Sequence, residues 1–389
     1  MSNKDCVKAF TSYLSKNLAW NGAEKLRQLK NMTFWCGAGF SKSWDLSYPT
    51  GVELFNIPEK NLCGNEDLNA LRAQLGYDPH ADLSLDEIKS IIYFLDMNEK
   101  YPDIQSRYID RENVRILKEE ISLLIKKYFN TITPEIFLNK NSYKFDQNGP
   151  LSGDQKDIIG FFNKFSRYST GAEGVAEGIR LNFISTNYDF LIEYILDSCI
   201  GPDDTLFNYT YRGITPKKIK GFQLDTKIHD HYLVSNLIKL NGGFEIIKKG
   251  KSYEFDYRKV TAKNKCMPPK LILPSREQDY TDQYFKEIFS KAIRVLRDSQ
   301  ALVIVGYSMP EEDALIRYIL KQFCETAEDG LQKEIFYIDF ISNKKGAQKH
   351  LQDKVQQVFP FVGMHKLPKV YTYDDGFVNF VKDTLPSMK

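Results

Sequence analysis

The sequence predicts a doubly wound α/β protein: a mostly parallel sheet carrying an inserted helical module. Three observations carry that expectation. The strand candidates are short and widely spaced, and several are unbroken apolar runs, as suits parallel strands covered on both faces. Amphipathic helical patterns lie between them, which is the alternation a doubly wound sheet requires. Small or polar residues follow four of the strands.

In chain order, Asn31–Cys36 (NMTFWC) reads as the first strand. From 60 to 179 the pattern changes to helix, with no convincing strand. Ser84 with Glu87, and Ser152 with Gln155, have the spacing of capping boxes. Between them Val114, Leu117, Ile121, Leu124 and Tyr128 recur at helical steps. Residues 60–179 are therefore expected to form an insertion whose lips shape a cleft, with 1–59 and 180–389 building the sheet domain. Strands are next expected at Leu181–Ser185, Asn236–Leu240, Lys270–Leu273, Ala301–Val305 and Glu334–Phe340. A helix over Lys286–Asp298 places Ile288, Phe289, Ala292, Ile293 and Leu296 on one face. Another over Glu311–Cys324 does so with Leu315, Ile316, Ile319, Leu320 and Phe323.

Composition narrows the function classes. The 389 residues suffice for two to three domains at roughly 150 residues each. Lys and Arg total 53 against 51 Asp and Glu, so the net charge of +2 supplies no field that would make nucleic acid or anionic lipid the default partner. No run approaches the ~18 uncharged apolar residues of a membrane span. The opening MSNKDCVKAFTSYL interrupts its apolar positions with Asp5 and Lys8, unlike a secretory signal. Six cysteines, at 6, 36, 63, 199, 266 and 324, contain no C-x-x-C pair. Reduced thiols in a soluble cytoplasmic protein are the expectation, without disulfides or a metal site.

The first chemical motif follows the first strand: Cys36-Gly37-Ala38-Gly39-Phe40-Ser41. Small residues here let the backbone turn tightly and approach an anion near a helix N-terminus. It is neither G-x-G-x-x-G nor a Walker sequence, and a plain strand-to-helix turn without a ligand is the alternative. The second is Ser185-Thr186-Asn187-Tyr188-Asp189, where Asn187 and Asp189 face a cleft or Thr186 or Asn187 merely caps a helix. The third is Lys239-Leu240-Asn241-Gly242-Gly243 and the fourth Gly306-Tyr307-Ser308-Met309-Pro310; both are also ordinary turn sequences. Ligands of open α/β sheets bind beyond the carboxyl ends of strands. All four motifs stand at such ends, on the rim where a dinucleotide would lie.

In this order GAGFS, TNYD, KLNG and GYSMPEED resemble the sirtuin catalytic core, over about 31–59 and 180–325. They are most similar to the sirtuin-like NAD+ hydrolases of prokaryotic antiphage defence. The resemblance implies a Rossmann-like NAD-binding domain and cleavage of NAD+ to nicotinamide and ADP-ribose. It also implies host NAD+ depletion (abortive infection), and control through a homo-oligomer or a HerA-like ATPase partner. By the same resemblance Gly37, Ala38, Gly39 and Ser41 would cradle the pyrophosphate and neighbouring ribose, and Thr186 would be a further cofactor-binding residue. Asn187 would position a water, Asp189 would hold the carboxamide or a ribose hydroxyl, and Gly306, Tyr307 and Ser308 would line the adenosine side.

Two departures from the family pattern matter. Sirtuin deacetylases carry two cysteine pairs on zinc; this chain has none, so deacetylation is not expected. Asn241 stands where the family has a histidine base, and an amide accepts no proton at neutral pH. A catalytically silent NAD- or ADP-ribose-binding subunit is therefore the alternative. Remaining candidates read as structural or solvated: His229 and His231 as loop histidines instead of a metal pair, and Cys36 as an inert buried thiol. Lys217, Lys218 and Lys220, like Lys248, Lys249 and Lys251, read as solvated loop charges and not a phosphate track.

Overall fold

The computed structural model describes residues 2–18, 30–101, 111–169, 179–202, 205–222, 235–260, 266–325, 333–359 and 367–388. Seven parallel strands form the central sheet: β1 (Lys30–Cys36), β2 (Ile179–Ser185), β3 (Thr210–Tyr211), β4 (Ser235–Lys239), β5 (Ser299–Val305), β6 (Glu334–Ile338) and β7 (Lys369–Tyr373). Their spatial order is β7-β6-β5-β1-β2-β4-β3. The chain leaves β1 to build one half outward through β2, then returns beside β1 with β5 and builds the other half. The order reverses at β1, and that is where such sheets open a crevice at the strands' carboxyl ends. The doubly wound, Rossmann-like fold expected from the alternation is what the chain adopts.

Register explains the core. One row across the sheet runs Tyr371, Phe336, Val303, Phe34, Phe183 and Leu237 through paired positions. Aromatic residues of three helices meet that row. Phe10 of Asn3–Leu18 lies edge-on to Phe336 at 5.2 Å, and Phe162 of Gly153–Ser169 edge-on to Phe34 at 5.2 Å. Phe377 and Phe380 of Gly376–Thr384 complete the layer against Phe161. Helix Gln283–Asp298 covers β1, β4 and β5 through buried Ile288, Ala292 and Leu296. Burial of this apolar surface, aromatic and aliphatic together, is the main favourable contribution to the fold.

Most sequence expectations find their element, with instructive exceptions. Lys270–Leu273 is not a strand of the sheet: only Leu271 bridges, to Gly242, and the segment lies across the turn after β4. Its amides serve that turn, with Lys270 N–H donating to Ile246 O and Ile272 N–H to Asn241 O. The region 60–179 does contain strands, a hairpin of Ile136–Leu138 with Phe145–Gln147, each too short for alternation to register. Edge strands β3 and β7 and a small sheet of Lys218–Ile219, Ile246–Lys249 and Ser252–Phe255 also went unread.

The helix expected at Glu311 begins at Ala314, and Leu315 faces outward while Ile316, Ile319 and Leu320 are buried. Ser152 and Gln155 form a complete capping box. Ser84 accepts from the Glu87 amide, but the Glu87 carboxylate turns instead to Arg72 Nε at 2.6 Å, because that guanidinium is fully buried and requires a charged partner.

Candidate functional site

The site begins where β1 and β5 end together. Gly37 N–H donates to Val305 O at 3.0 Å, Gly39 N–H to Gly306 O at 2.9 Å, and Gly306 N–H to Ile338 O at 3.0 Å. The two turns interlock at backbone distance. A Cβ on Gly37 would lie 2.5 Å from Gly306 O, one on Gly39 2.7 Å from Gly306 Cα, and one on Gly306 2.4 Å from Gly39 Cα. Gly306 also has φ +58°, left-handed backbone that favours glycine. The glycines of GAGFS are thus required by loop-against-loop packing, and the Gly37 and Gly39 amides are engaged internally.

From β2 the TNYD segment closes on this turn. Thr186 N–H donates to Cys36 O at 3.1 Å. Asn187 Nδ2 donates to Gly37 O at 2.8 Å and to Ser41 Oγ at 2.9 Å. Ser41 Oγ in turn donates to Asp189 Oδ2 at 2.7 Å, while Asp189 Oδ1 accepts the Leu191 amide at 3.0 Å. Neither Thr186 nor Asn187 therefore caps the helix Leu191–Ser198; Asp189 supplies that bond. Residues 150 positions apart in sequence thus share one chain of hydrogen bonds. Burial drives the Asp189 carboxyl above the ordinary range; the Ser41 hydroxyl, Lys239 and the Leu191 amide oppose the shift, and Glu193 adds to it.

Asn241 joins from the turn after β4. Its Nδ2 donates to Thr186 O at 3.2 Å, fixing the amide, while its buried Oδ1 has no hydrogen-bond partner among the described residues. A buried, oriented acceptor without a donor is costly unless something supplies one. Gly242 must remain glycine, because a Cβ there would lie 2.1 Å from Lys270 O. On the β5 side the Tyr307 ring lies against Trp35 at 5.8 Å, and its hydroxyl donates to Asp313 Oδ2 at 2.8 Å. Ser308 is exposed.

The structure thus brings Gly37, Ala38, Gly39, Ser41, Thr186, Asn187, Asp189, Gly306 and Tyr307 to one rim. Asn241 is attached through Thr186, and Ser308 stands at the outer edge. Two concavities adjoin it. A small cavity of about 20 Å³ lies beside Asp189, walled by Tyr48, Phe129, Phe190 and Phe244 with Lys126, Glu135 and Arg258. A wider cleft separates the helices Leu85–Lys100 and Arg111–Ile132 from Met267–Leu273. Ile272, which bonds Asn241, forms part of its wall.

Cys36 is buried, and burial, with Asp189 adding, raises its thiol well above the ordinary range, in keeping with an inert thiol. Lys220 and Lys248 pair with Asp256 and Asp282. His229 and His231 lie outside the described residues.

Sequence reading missed a buried charge cluster behind the site. Lys239 Nζ lies 2.7 Å from Glu193 Oε1, 3.0 Å from Glu245 Oε2 and 2.6 Å from Asp189 O. Arg212 Nη2 is 2.7 Å from both Glu193 Oε1 and Glu245 Oε1. The four side chains are at most 5% exposed. The available signal was charge inside apolar runs, Glu193 in LIEYIL and Lys239 in NLIKL.

No family model matches the chain, and no curated protein matches it. Three solved structures similar to it are ADP-ribose complexes of Sir2 homologues. A serine-to-alanine mutant has 12% identity and a TM-score of 0.29. A histidine-to-asparagine mutant has 12% and 0.32, and a phenylalanine-to-alanine mutant 11% and 0.31. Each similarity covers 89% of this chain and 95% of the other. Among the described residues no helix is long and apolar enough to cross a membrane.

Proposed function

We propose that this chain is an NAD+ hydrolase that cleaves the nicotinamide–ribose bond. The observation that carries the reading is the Gly37–Asn187–Ser41–Asp189 hydrogen-bond chain at the reversal point of the sheet. Two motifs distant in sequence share it, on the rim where such folds receive dinucleotides. The order of GAGFS, TNYD, KLNG and GYSMPEED supports the same reading by resemblance.

The chemistry makes modest demands. In NAD+ the leaving nicotinamide is already cationic, so the C1′–N bond breaks to release a neutral base without a protonating acid. The ribose passes through an oxocarbenium-like state, as in glycoside hydrolysis. A water then forms the new C1′–O bond and releases its proton to solvent. The protein must orient the ribose, hold the water and exclude competitors. Asn187 has an oriented amide for the water, and Asp189 a buried carboxylate for a ribose hydroxyl or the developing positive charge. Asn241 Oδ1 would accept from a ribose hydroxyl. Lacking a general base there forgoes a factor of about 10²–10⁴ without abolishing turnover.

In this reading 1–59 and 180–389 form the NAD-binding domain and 60–179 the insertion that walls the cleft. The chain would act in the cytoplasm to deplete NAD+ during phage infection, and be switched on by self-assembly or a HerA-like ATPase. The second reading, a silent NAD- or ADP-ribose-binding subunit, is favoured by one observation, Asn241 in place of a base. Purified protein, alone and with the ATPase, is incubated with NAD+ and nicotinamide is measured by chromatography. Release establishes the hydrolase. NAD+ that stabilises the protein against heat yet stays whole establishes the binding subunit.

A further inference from the structure

We infer that Lys239 is the positioning residue of the candidate site: it pins the loop bearing Asn187 and Asp189 from behind and sets a buried cation, balanced by Glu193, against Asp189. The inference rests on the proposed NAD+ cleavage for its consequence, while its geometry stands independently.

Lys239 is the last residue of β4 and is 2% exposed, with its ammonium group spanning three segments. It donates to the main-chain oxygen of Asp189, to Glu193 on the following helix, and to Glu245 beyond the Asn241 turn. Phe244 N–H donates to Tyr188 O, tying the same two segments a second time. Gly243 leaves the space that Glu245 uses, since a Cβ there would lie 2.2 Å from Glu245 Oε2. Arg212 closes the cluster between Glu193 and Glu245, so two acidic and two basic side chains face one another in a buried interior. Hydrophobic residues would fill this volume at less desolvation cost. What the ionic arrangement provides is direction: an ammonium group that fixes where the Asp189 backbone sits.

The charge has a second effect. Among the described residues, the groups that bear most on the Asp189 carboxyl are Ser41 from the turn after β1, Lys239 from β4, and the Leu191 amide and Glu193 from the next segment. Cys36 and Tyr48 lie beside it, and Lys126, Glu135 and Arg258 face it across the adjoining cavity. Burial raises the carboxyl, Lys239 lowers it and Glu193 raises it, Lys239 being the larger of those two charges in effect. Two donors, Ser41 O–H and Leu191 N–H, aim at the Asp189 oxygens, an arrangement suited to the ionised form. Activity that needs that form is lost as pH falls through the Asp189 pKa.

The test uses the full chain with Lys239→Met, Lys239→Arg, Glu193→Gln, and the Lys239→Met/Glu193→Gln double variant, whose loss of one charge of each sign keeps the interior neutral. The acid limb of nicotinamide release should move up by about one pH unit in Lys239→Met and down in Glu193→Gln. It should stay in place in Lys239→Arg, and rise less in the double variant than in Lys239→Met. Independently of turnover, hydrogen exchange at the Leu191 and Phe244 amides should quicken at least tenfold in the double variant. Limbs moving the same way in Lys239→Met and Glu193→Gln, or wild-type exchange at those amides in the double variant, overturn the inference. A wild-type protein that releases no nicotinamide overturns the hydrolase reading alone, and the exchange result then decides on Lys239.

Discussion

Gly306→Ala tests the interlocked turns on which the site is built. Two costs combine at this position. Left-handed backbone at φ +58° costs an L-residue about 1–2 kcal/mol. The new methyl carbon would stand 2.4 Å from Gly39 Cα and 2.5 Å from Phe40 N, and these are backbone atoms that cannot rotate aside. Overpacking of that kind costs about 1–3 kcal/mol, for a total of about 2–5 kcal/mol.

Gly39→Ala meets the same gap from the other side, 2.7 Å from Gly306 Cα, without a left-handed backbone, so it should cost about 1–3 kcal/mol. Because one displacement relieves both contacts, the double variant should cost less than the sum of the singles. Gly51→Ala is the control: a Cβ there meets nothing within 4 Å. Urea unfolding followed by tryptophan fluorescence reports the costs, Trp35 lying against Tyr307 of this turn. Separation of the turns also carries Gly37 O away from Asn187, so nicotinamide release should fall with stability. A Gly306→Ala protein within 0.5 kcal/mol of wild type, or strict additivity in the double variant, refutes the packing argument.

Three further outcomes are expected. Asn187→Ala removes two hydrogen bonds worth about 1–3 kcal/mol together; the protein should stay folded by circular dichroism while NAD+ cleavage disappears, and full activity would remove Asn187 from its role. Asn241→His should raise the rate of nicotinamide release, by up to about 10²–10⁴-fold, if the site lacks only its base; an unchanged rate means another group serves. In native protein iodoacetamide should alkylate exposed Cys63 and spare Cys36, whose thiol burial holds in its neutral form, and peptide mass mapping would show the reverse if Cys36 were a nucleophile.

The parts of the fold legible in the sequence are those fixed by local pattern. The strands TFWC, LNFIS and ALVIV announce themselves because both faces are covered, and their carboxyl ends carry three of the four motifs. Lys270–Leu273 misled because its apolar residues line a turn and a cleft instead of pairing in a ladder. The hairpin at 136–147 and the two-residue β3 are shorter than one period of alternation can identify.

Within the site, the neighbourhood of Asn187 and GAGFS was readable as two strand ends. The Ser41–Asp189 bond was not, since it depends on how a helical turn and a loop face each other. The pairing within the cluster around Lys239 was not legible for a related reason. Its four charges come from separated segments; Glu193 and Lys239 stand out as charges inside apolar runs, but nothing in the sequence pairs them with each other or with Arg212 and Glu245.

The first helix has a consequence for how the chain is made. Asn3 Nδ2 donates to Asp374 Oδ1 at 3.0 Å and Asn3 Oδ1 accepts the Asp374 amide at 3.1 Å, across 371 residues. At roughly 5–20 residues per second, about 20 to 75 s of translation separate the two halves of this clasp. For most of that interval Phe10 lacks Phe336 and Phe380, two of the rings that shelter it at the end. Nascent chains of this topology should lean heavily on ribosome-associated chaperones, and slow synthesis should lower their soluble yield.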